Sequence, residues 1–364
     1  MIDSPLNRTG YTLSLPRQAT ALDLVSERGK VATAGIVDAG EKMGFGAYLG
    51  RLFSVGEWNI GLAELKLDDL VGARGQDGVS TVTPQVRWMD KPWFVRYQAD
   101  PCLVESGARL FLFYEELLFG SPKGRLRVVE LKADGPSAGR GLVMMSLRYH
   151  ASYPYVFEHS NTFYCIPETA GRRQVTLYRS DTPQGPWTWE RVLLDGVRAL
   201  DSTAFFFEGR WWLFCTVAGR QSQSRHSNLH IWHAPELRGP WEPHRLQPAK
   251  SDIQSARPAG RPFVVNGVLY RPAQDCSSIY GARVVVNRVH QLTPQSFAEE
   301  VCSYVEPDPT NLYPAGLHTL SNAGAYLAID GYREGRTLNP YKLGMAAMAK
   351  IRERWESVAR KGLS

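Results

Sequence analysis

Ala99-Asp100-Pro101-Cys102-Leu103-Val104-Glu105-Ser106-Gly107, continued by Leu110-Phe-Leu-Phe-Tyr114-Glu115, is the stretch whose reading decides the fold. Two runs of strand formers flank a glycine-containing turn with no helical spacing of the apolar positions, which is the pattern of a β-hairpin. The chain then repeats it with variations. Tyr153 to Phe157 turns into Thr162 to Ile166 and ends on Pro167-Glu168. Asp201-Ser202 leads through Ala204 to Phe207, then Trp211 to Cys215 and Thr216. Arg261 to Val265 turns at Asn266-Gly267 into Val268 to Tyr270 and ends at Asp275. A weaker copy runs from Leu317-His318 to Ile329-Asp330.

The openers of these copies stand at 100, 153, 201, 261 and about 318, giving steps of 53, 48, 60 and 57 residues. A period of roughly 40 to 60 residues built of strands alone is the signature of a β-propeller. Third strands support it, with Gln174 to Tyr178 before Gly185-Pro-Trp187, and Asn228 to Trp232 before Gly239-Pro-Trp241. The expectation is an all-β, five-bladed β-propeller with a short C-terminal helix. It divides into an N-terminal extension (1–57), the propeller (58–339) and an amphipathic helix (340–364). Trp58 to Leu62 is expected to supply the outer strand of the last blade, because that removes an open sheet edge.

The 364 residues are 43% hydrophobic and 21% charged, an ordinary globular composition. Five cysteines without a Cys-x-x-Cys pair point to buried small side chains in a reducing compartment rather than to disulfides. No basic leader with an apolar core opens the chain, and no run is long enough to span a bilayer, so a cytoplasmic location is expected. A net charge of +6 is mild, and no nucleic-acid motif, phosphate-binding glycine loop, cofactor motif or metal-ligand cluster is present in the sequence. The helical spacing from Tyr341 to Lys361 carries Lys350, Arg352, Arg354 and Arg360 on its polar face. That suits a helix packed on the propeller or, alternatively, peripheral contact with an anionic membrane. The polar stretch Gly219 to Ser227 suits a lid or a solvated loop, and is taken as the loop.

In a propeller the inner strands line a central funnel, so Asp100, Tyr153, Asp201, Arg261 and His318 should converge there. Glu115, Glu168, Thr216, Asp275 and Asp330 close the second strands. Carboxylates gathered at one mouth push one another's pKa values apart, which suits general acid/base work on a glycosidic bond. Trp211, Trp212, Tyr153 and Tyr280 could offer aromatic faces to a sugar. Glu115, Asp275 and Asp330 can equally be corner residues bonding backbone amides.

Ala99-Asp-Pro, Ser152-Tyr-Pro-Tyr-Val-Phe, Leu200-Asp-Ser and, above all, Ala256-Arg…Gly260-Arg-Pro-Phe…Gln274-Asp-Cys…Tyr280-Gly carry a resemblance. Over roughly residues 58 to 333 the chain resembles the N-terminal domain of the glucosamine inositolphosphorylceramide transferase family. The plant members continue into a glycosyltransferase domain, which the resemblance implies is lacking here. That domain is similar in turn to the five-bladed propellers of family 43 arabinanases and xylosidases and their fructosidase relatives. The resemblance implies that Asp100 is a base and that Asp201 tunes an acid. The family 43 acid sits in Glu-Gly-Pro, whereas this chain reads Gly260-Arg261-Pro262, leaving Glu168 as the proton donor or hydrolysis as the wrong reaction. Arg257 and Arg261 would pair with a phosphate or carboxylate. Tyr153, Asp275, Tyr280 and His318 complete the expected binding set.

The expectation is therefore a carbohydrate-active propeller that hydrolyses or transfers a glycosidic linkage, with a carbohydrate or sugar-phosphate ligand and no cofactor. The rival is a non-catalytic glycan-binding module that presents substrate to a partner glycosyltransferase, and a scaffold with an empty funnel comes third.

Overall fold

The computed structural model describes residues 54–72, 78–132, 140–145, 147–219 and 224–336, with Gly344 and Met348. The expected N-terminal extension, up to residue 53, and the expected C-terminal helix, apart from those last two residues, lie outside the described residues.

The expected β-propeller is borne out by strand after strand of alternating β-branched and aromatic residues paired antiparallel. The first set is Val95–Ser106, Arg109–Leu118, Arg125–Leu131 and Leu142–Met145. The second is Ser152–His159, Thr162–Glu168, Gln174–Ser180 and Thr188–Asp195. Ala199–Phe207, Arg210–Val217, Asn228–Ala234 and Glu242–Pro243 make the third. In the next, Arg257–Pro258 and Phe263–Val265 both pair with Val268–Asp275, followed by Arg283–Leu292 and Phe297–Val305. The last set holds Leu320–Ala323, Tyr326–Arg336, Ser54–Glu64 and Arg87–Trp88. It joins the first through one parallel bridge, Trp58 to Tyr97.

Between neighbouring sets lie apolar clusters. Phe113, Leu126 and Val128 of the first meet Val156, Phe163 and Cys165 of the second. Ile166 and Leu177 then meet Leu213 and Trp232, and Phe214 and Ile231 meet Leu269 and Leu292. Phe263 and Val286 meet Leu317 and Ile329. The last set also packs on the first, Ile60 and Ala328 against Leu103, Leu112 and Tyr114. Each sheet thus buries both faces, and the driving force is removal of this apolar area from water.

The early strand is longer than expected and sits elsewhere in its blade. Ser54–Glu64 pairs along its whole length with Tyr326–Arg336, from Ser54 opposite Arg336 to Glu64 opposite Tyr326. It is the third strand, since Arg87–Trp88 pairs outside it. A second addition, Ser80–Val82 running parallel to Phe297–Val305, caps the fourth set. Three residues beside a Gly/Asp-rich stretch carry too little periodicity for a strand to be read there.

Removing residues 1–64 leaves Tyr326–Arg336 with an unpaired edge and strips Ile60 and Leu62 from the core. We expect the whole fold to be lost cooperatively in thermal denaturation. A truncated chain with an unchanged melting temperature would refute this role for Ser54–Glu64.

Candidate carboxylate site at the propeller mouth

Three openers share a backbone device. Asp100, Tyr153 and Asp201 have φ of 54°, 42° and 52°, and each falls in a break of register, between Ala99 and Cys102, Ser152 and Tyr155, and Leu200 and Thr203. A non-glycine residue in this region costs on the order of 1–3 kcal/mol. The bulge turns each amide toward the preceding blade, where a carboxylate receives it. The Asp100 N–H donates to Asp330 Oδ2 at 3.1 Å, the Tyr153 N–H to Asp100 Oδ2 at 3.0 Å, and the Asp201 N–H to Glu168 Oε2 at 3.1 Å.

Asp100 and His318, expected together, are in contact. His318 Nε2 lies 3.0 Å from Asp100 Oδ1, and Thr319 Oγ1 donates to the same oxygen at 3.3 Å. His318 Nδ1 is 3.0 Å from Asp330 Oδ2, a charge contact rather than an aligned hydrogen bond. Asp330 is fully buried and also accepts the His318 and Thr319 amides at 3.0 and 2.9 Å. Burial alone would depress the imidazole, but Asp330 and Asp100 outweigh it and push its pKa up to about 10. Gly281 makes room for it: at φ +66° a Cβ there would stand 2.5 Å from the His318 Cβ. Asp100, His318 and Asp330 each offer a ligand atom within 4.8 Å of the others, so among the described residues they are the set that could hold a metal.

Asp201 is held by a different cation. Arg257 donates from Nε to Oδ2 at 2.6 Å and from Nη2 to Oδ1 at 3.3 Å, and Gln274 Nε2 adds a 2.7 Å bond. Burial, then repulsion from Asp201, holds the Glu168 carboxyl well above the usual carboxylate range, with Arg257 opposing. Glu115 behaves alike: burial, then Asp100, raises it well above that range, against His318. Two glutamate carboxyls held well above their usual range thus lie beside two aspartates engaged by cations.

Other expected members are placed apart. Tyr153 is buried, its hydroxyl 2.9 Å from Thr203 Oγ1. Four residues back from the last paired residue before each hairpin turn stand Cys102, Tyr155, Thr203, Arg261 and Thr319. Arg261 is therefore two residues deeper than Asp100. It donates to the Val156 carbonyl at 2.8 Å and lines, with Asp100, Cys102, Tyr155 and Ser321, a small cavity. Arg257 and Arg261 do not form one anion clamp. The Asp275 carboxylate is taken up by its own corner, by Ser277 N–H and Oγ at 2.9 and 2.6 Å and Arg283 Nε at 3.0 Å. Trp211 and Trp212 are core residues in separate inter-blade clusters.

Tyr280 does face the mouth. It is 38% exposed, with the Arg257 guanidinium 5.0 Å from its ring centroid. The sequence reading missed Trp58, whose ring is 4.2 Å from His318 and 6.2 Å from Tyr280. It missed His226 too, which lies in the stretch taken as a solvated loop but has Nδ1 3.1 Å from Arg257 Nη1. A Trp in an early strand and a lone His in a polar loop have no motif to mark them.

Strand order and pairing define a β-propeller, and Asp100 with His318 and Asp201 with Arg257 form carboxylate–cation contacts among its inner strands. A family model for "Glucosamine inositolphosphorylceramide transferase 1, N-terminal" matches residues 83–310, more than half of the chain, and the chain belongs to that family. It is 34% identical over 205 residues to the glucosamine inositolphosphorylceramide transferase 1 of Oryza sativa subsp. japonica, and 30% identical over 208 to that of Arabidopsis thaliana. Each match takes in 56% of this chain but 27% of the relative, so the chain corresponds to about a quarter of those proteins. Among solved structures, it is similar to a family 117 glycoside hydrolase of Zobellia galactanivorans (TM-score 0.46, 13% identity, 80% of this chain and 93% of that one). An α-L-arabinofuranosidase of Podospora anserina is another (TM-score 0.49, 10% identity, 71% and 97%).

A pH test follows from His318. Its pKa is raised from 6.5 to about 10, so its stabilisation is complete below 6.5 and is lost as pH rises through about 10. Denaturant unfolding of the wild type should weaken across that interval more steeply than that of His318→Asn. Parallel pH profiles would show that the imidazole is not charged between its two carboxylates.

Proposed function

We propose that the chain is a carbohydrate-active propeller domain that acts on a glycosidic linkage in glycolipid or polysaccharide metabolism. The observation that carries this reading is the division of labour at the mouth: the Glu168 and Glu115 carboxyls are held well above the usual carboxylate range beside Asp201 and Asp100, each of which meets a cation. Cleaving or exchanging a glycosidic bond needs one carboxyl group holding a proton and another without it. In this reading Glu168 donates the proton, Asp201 keeps its pKa raised, and Asp100 is the base. The apolar packing of each blade on the next, including the last on the first, supports five blades closed as a ring. The relatives' name speaks of glucosamine and inositolphosphorylceramide, which makes an amino sugar and an anionic lipid headgroup the first ligands to try. A cytoplasmic location and peripheral membrane contact through residues 340–364 belong to the same proposal; no helix among the described residues is long and apolar enough to cross a membrane.

One observation favours the second reading, a glycan-binding module serving a partner glycosyltransferase. Both oxygens of Asp100 and both of Asp201 are already engaged by donors, and a base must free one before it can take a proton.

Aryl glycosides and nucleotide sugars, assayed with the wild type, Glu168→Gln and Asp100→Asn, separate the two. Loss of a general acid or base costs about 10²–10⁴-fold in rate. We expect both variants to lose turnover by that order while calorimetry still registers the glycan. Tight binding by the wild type without turnover, merely weakened in Asp100→Asn, would establish the module instead.

A further inference from the structure

We propose that His150 and His226 are ligand-positioning residues, each presenting an Nε2–H donor to the oxygens of a hydroxylated ring at the carboxylate mouth. This rests on the carbohydrate reading above and adds to it two residues from different blades.

The geometry assigns the tautomers. The Gly124 amide donates to His150 Nδ1 at 2.9 Å, and Arg257 Nη1 lies 3.1 Å from His226 Nδ1. A backbone N–H and a guanidinium can only donate, so Nδ1 must accept in both rings. In a neutral imidazole the hydrogen then resides on Nε2. Among the described residues, neither Nε2 has a hydrogen-bond partner.

Both rings border the cluster. His150 precedes the inner strand of Tyr153 and feels the charge of Asp100. His226 feels that of Asp201 and lies 5.6 Å from the Tyr280 ring, which continues to His318 and Trp58. Gly124 is part of the device. A Cβ there would stand 2.1 Å from Glu115 Oε1 and 2.6 Å from the Ala151 carbonyl oxygen, so only glycine brings that amide to His150.

The His226 imidazole is neutral near pH 7, and the His150 pKa is shifted in the same direction. Burial, then Arg257 and Arg225, lowers His226 to about 4. His150 is exposed, and partial desolvation lowers its pKa against the pull of Asp100. The chemistry is complementary to a polyol. The carboxyl groups accept from hydroxyl hydrogens, the Arg257 guanidinium is engaged by Asp201, and the two imidazoles supply N–H donors to the hydroxyl oxygens. Neutral donors suit neutral oxygens, whereas an anionic group would call for a free cation.

Long-range ¹H–¹⁵N spectra of the histidine side chains at pH 7, without ligand, should show the Nε2–H tautomer at both positions. A charged ring or the Nδ1–H tautomer at either would overturn the proposal. Calorimetry with glucosamine, N-acetylglucosamine and glucuronic acid then tests the role. For whichever sugar the wild type binds, His150→Ala and His226→Ala should each weaken binding about tenfold, the loss of one hydrogen bond. His150→Gln and His226→Gln, which keep an N–H, should recover part of it with unchanged melting temperatures. Equal binding by wild type and alanine variants would sink this proposal and leave the carbohydrate reading standing. If the wild type binds none of the three, the carbohydrate reading and the positioning role fall together, while the spectra still report the tautomers.

Discussion

A backbone amide handed to a carboxylate on the neighbouring blade is the interaction on which this molecule depends. Asp330 receives the amide of Asp100, Asp100 that of Tyr153, and Glu168 that of Asp201. Each donor residue is held in a left-handed conformation that would relax without such a partner. Buried amides must be satisfied, so the same bonds that tie blade to blade also fix where the acidic side chains end. Mechanical continuity and site geometry are one arrangement.

That arrangement sets the electrostatics. Carboxylates brought together out of water cannot all carry charge. Here Asp100 and Asp201 each meet a cation, His318 and Arg257, and the Glu115 and Glu168 carboxyls are pushed well above the usual carboxylate range. The outer strands handle charge in the same way. Glu116 is fully buried between Arg127, 3.0 Å away, and Arg140, and Glu299 is buried against Arg271. A buried ion left alone would cost several kcal/mol, and neither of these two acids is alone.

Much of this is legible in the sequence because the repeating hairpin carries its own phase. Asp-Pro and Leu-Asp-Ser at the head of an apolar run place Asp100 and Asp201, and the end of a second strand places Glu168. The fourth copy misleads. Its Arg261-Pro262 imitates the Asp100-Pro101 and Tyr153-Pro154 openers, but the turn at Asn266-Gly267 fixes the register, and counting back from it sets Arg261 a layer deeper. The N-terminal contributions are less legible, since Trp58 reaches the site through pairing with residues more than 270 positions away. His150 stands in a loop and His226 in the four-residue helix Ser224–Ser227, where no periodicity gives direction to a side chain.

Pairing of Ser54–Glu64 with Tyr326–Arg336 has a consequence for biosynthesis. The partner of the early strand leaves the ribosome more than 260 residues after it, so the early strand waits through the making of nearly the whole domain. Contacts of such sequence separation are slow to form, and a waiting apolar strand is open to pairing with other chains. Glu57, charged and near the middle of that strand, makes it a poorer template for such pairing until Arg333 and Lys91 arrive to cover it.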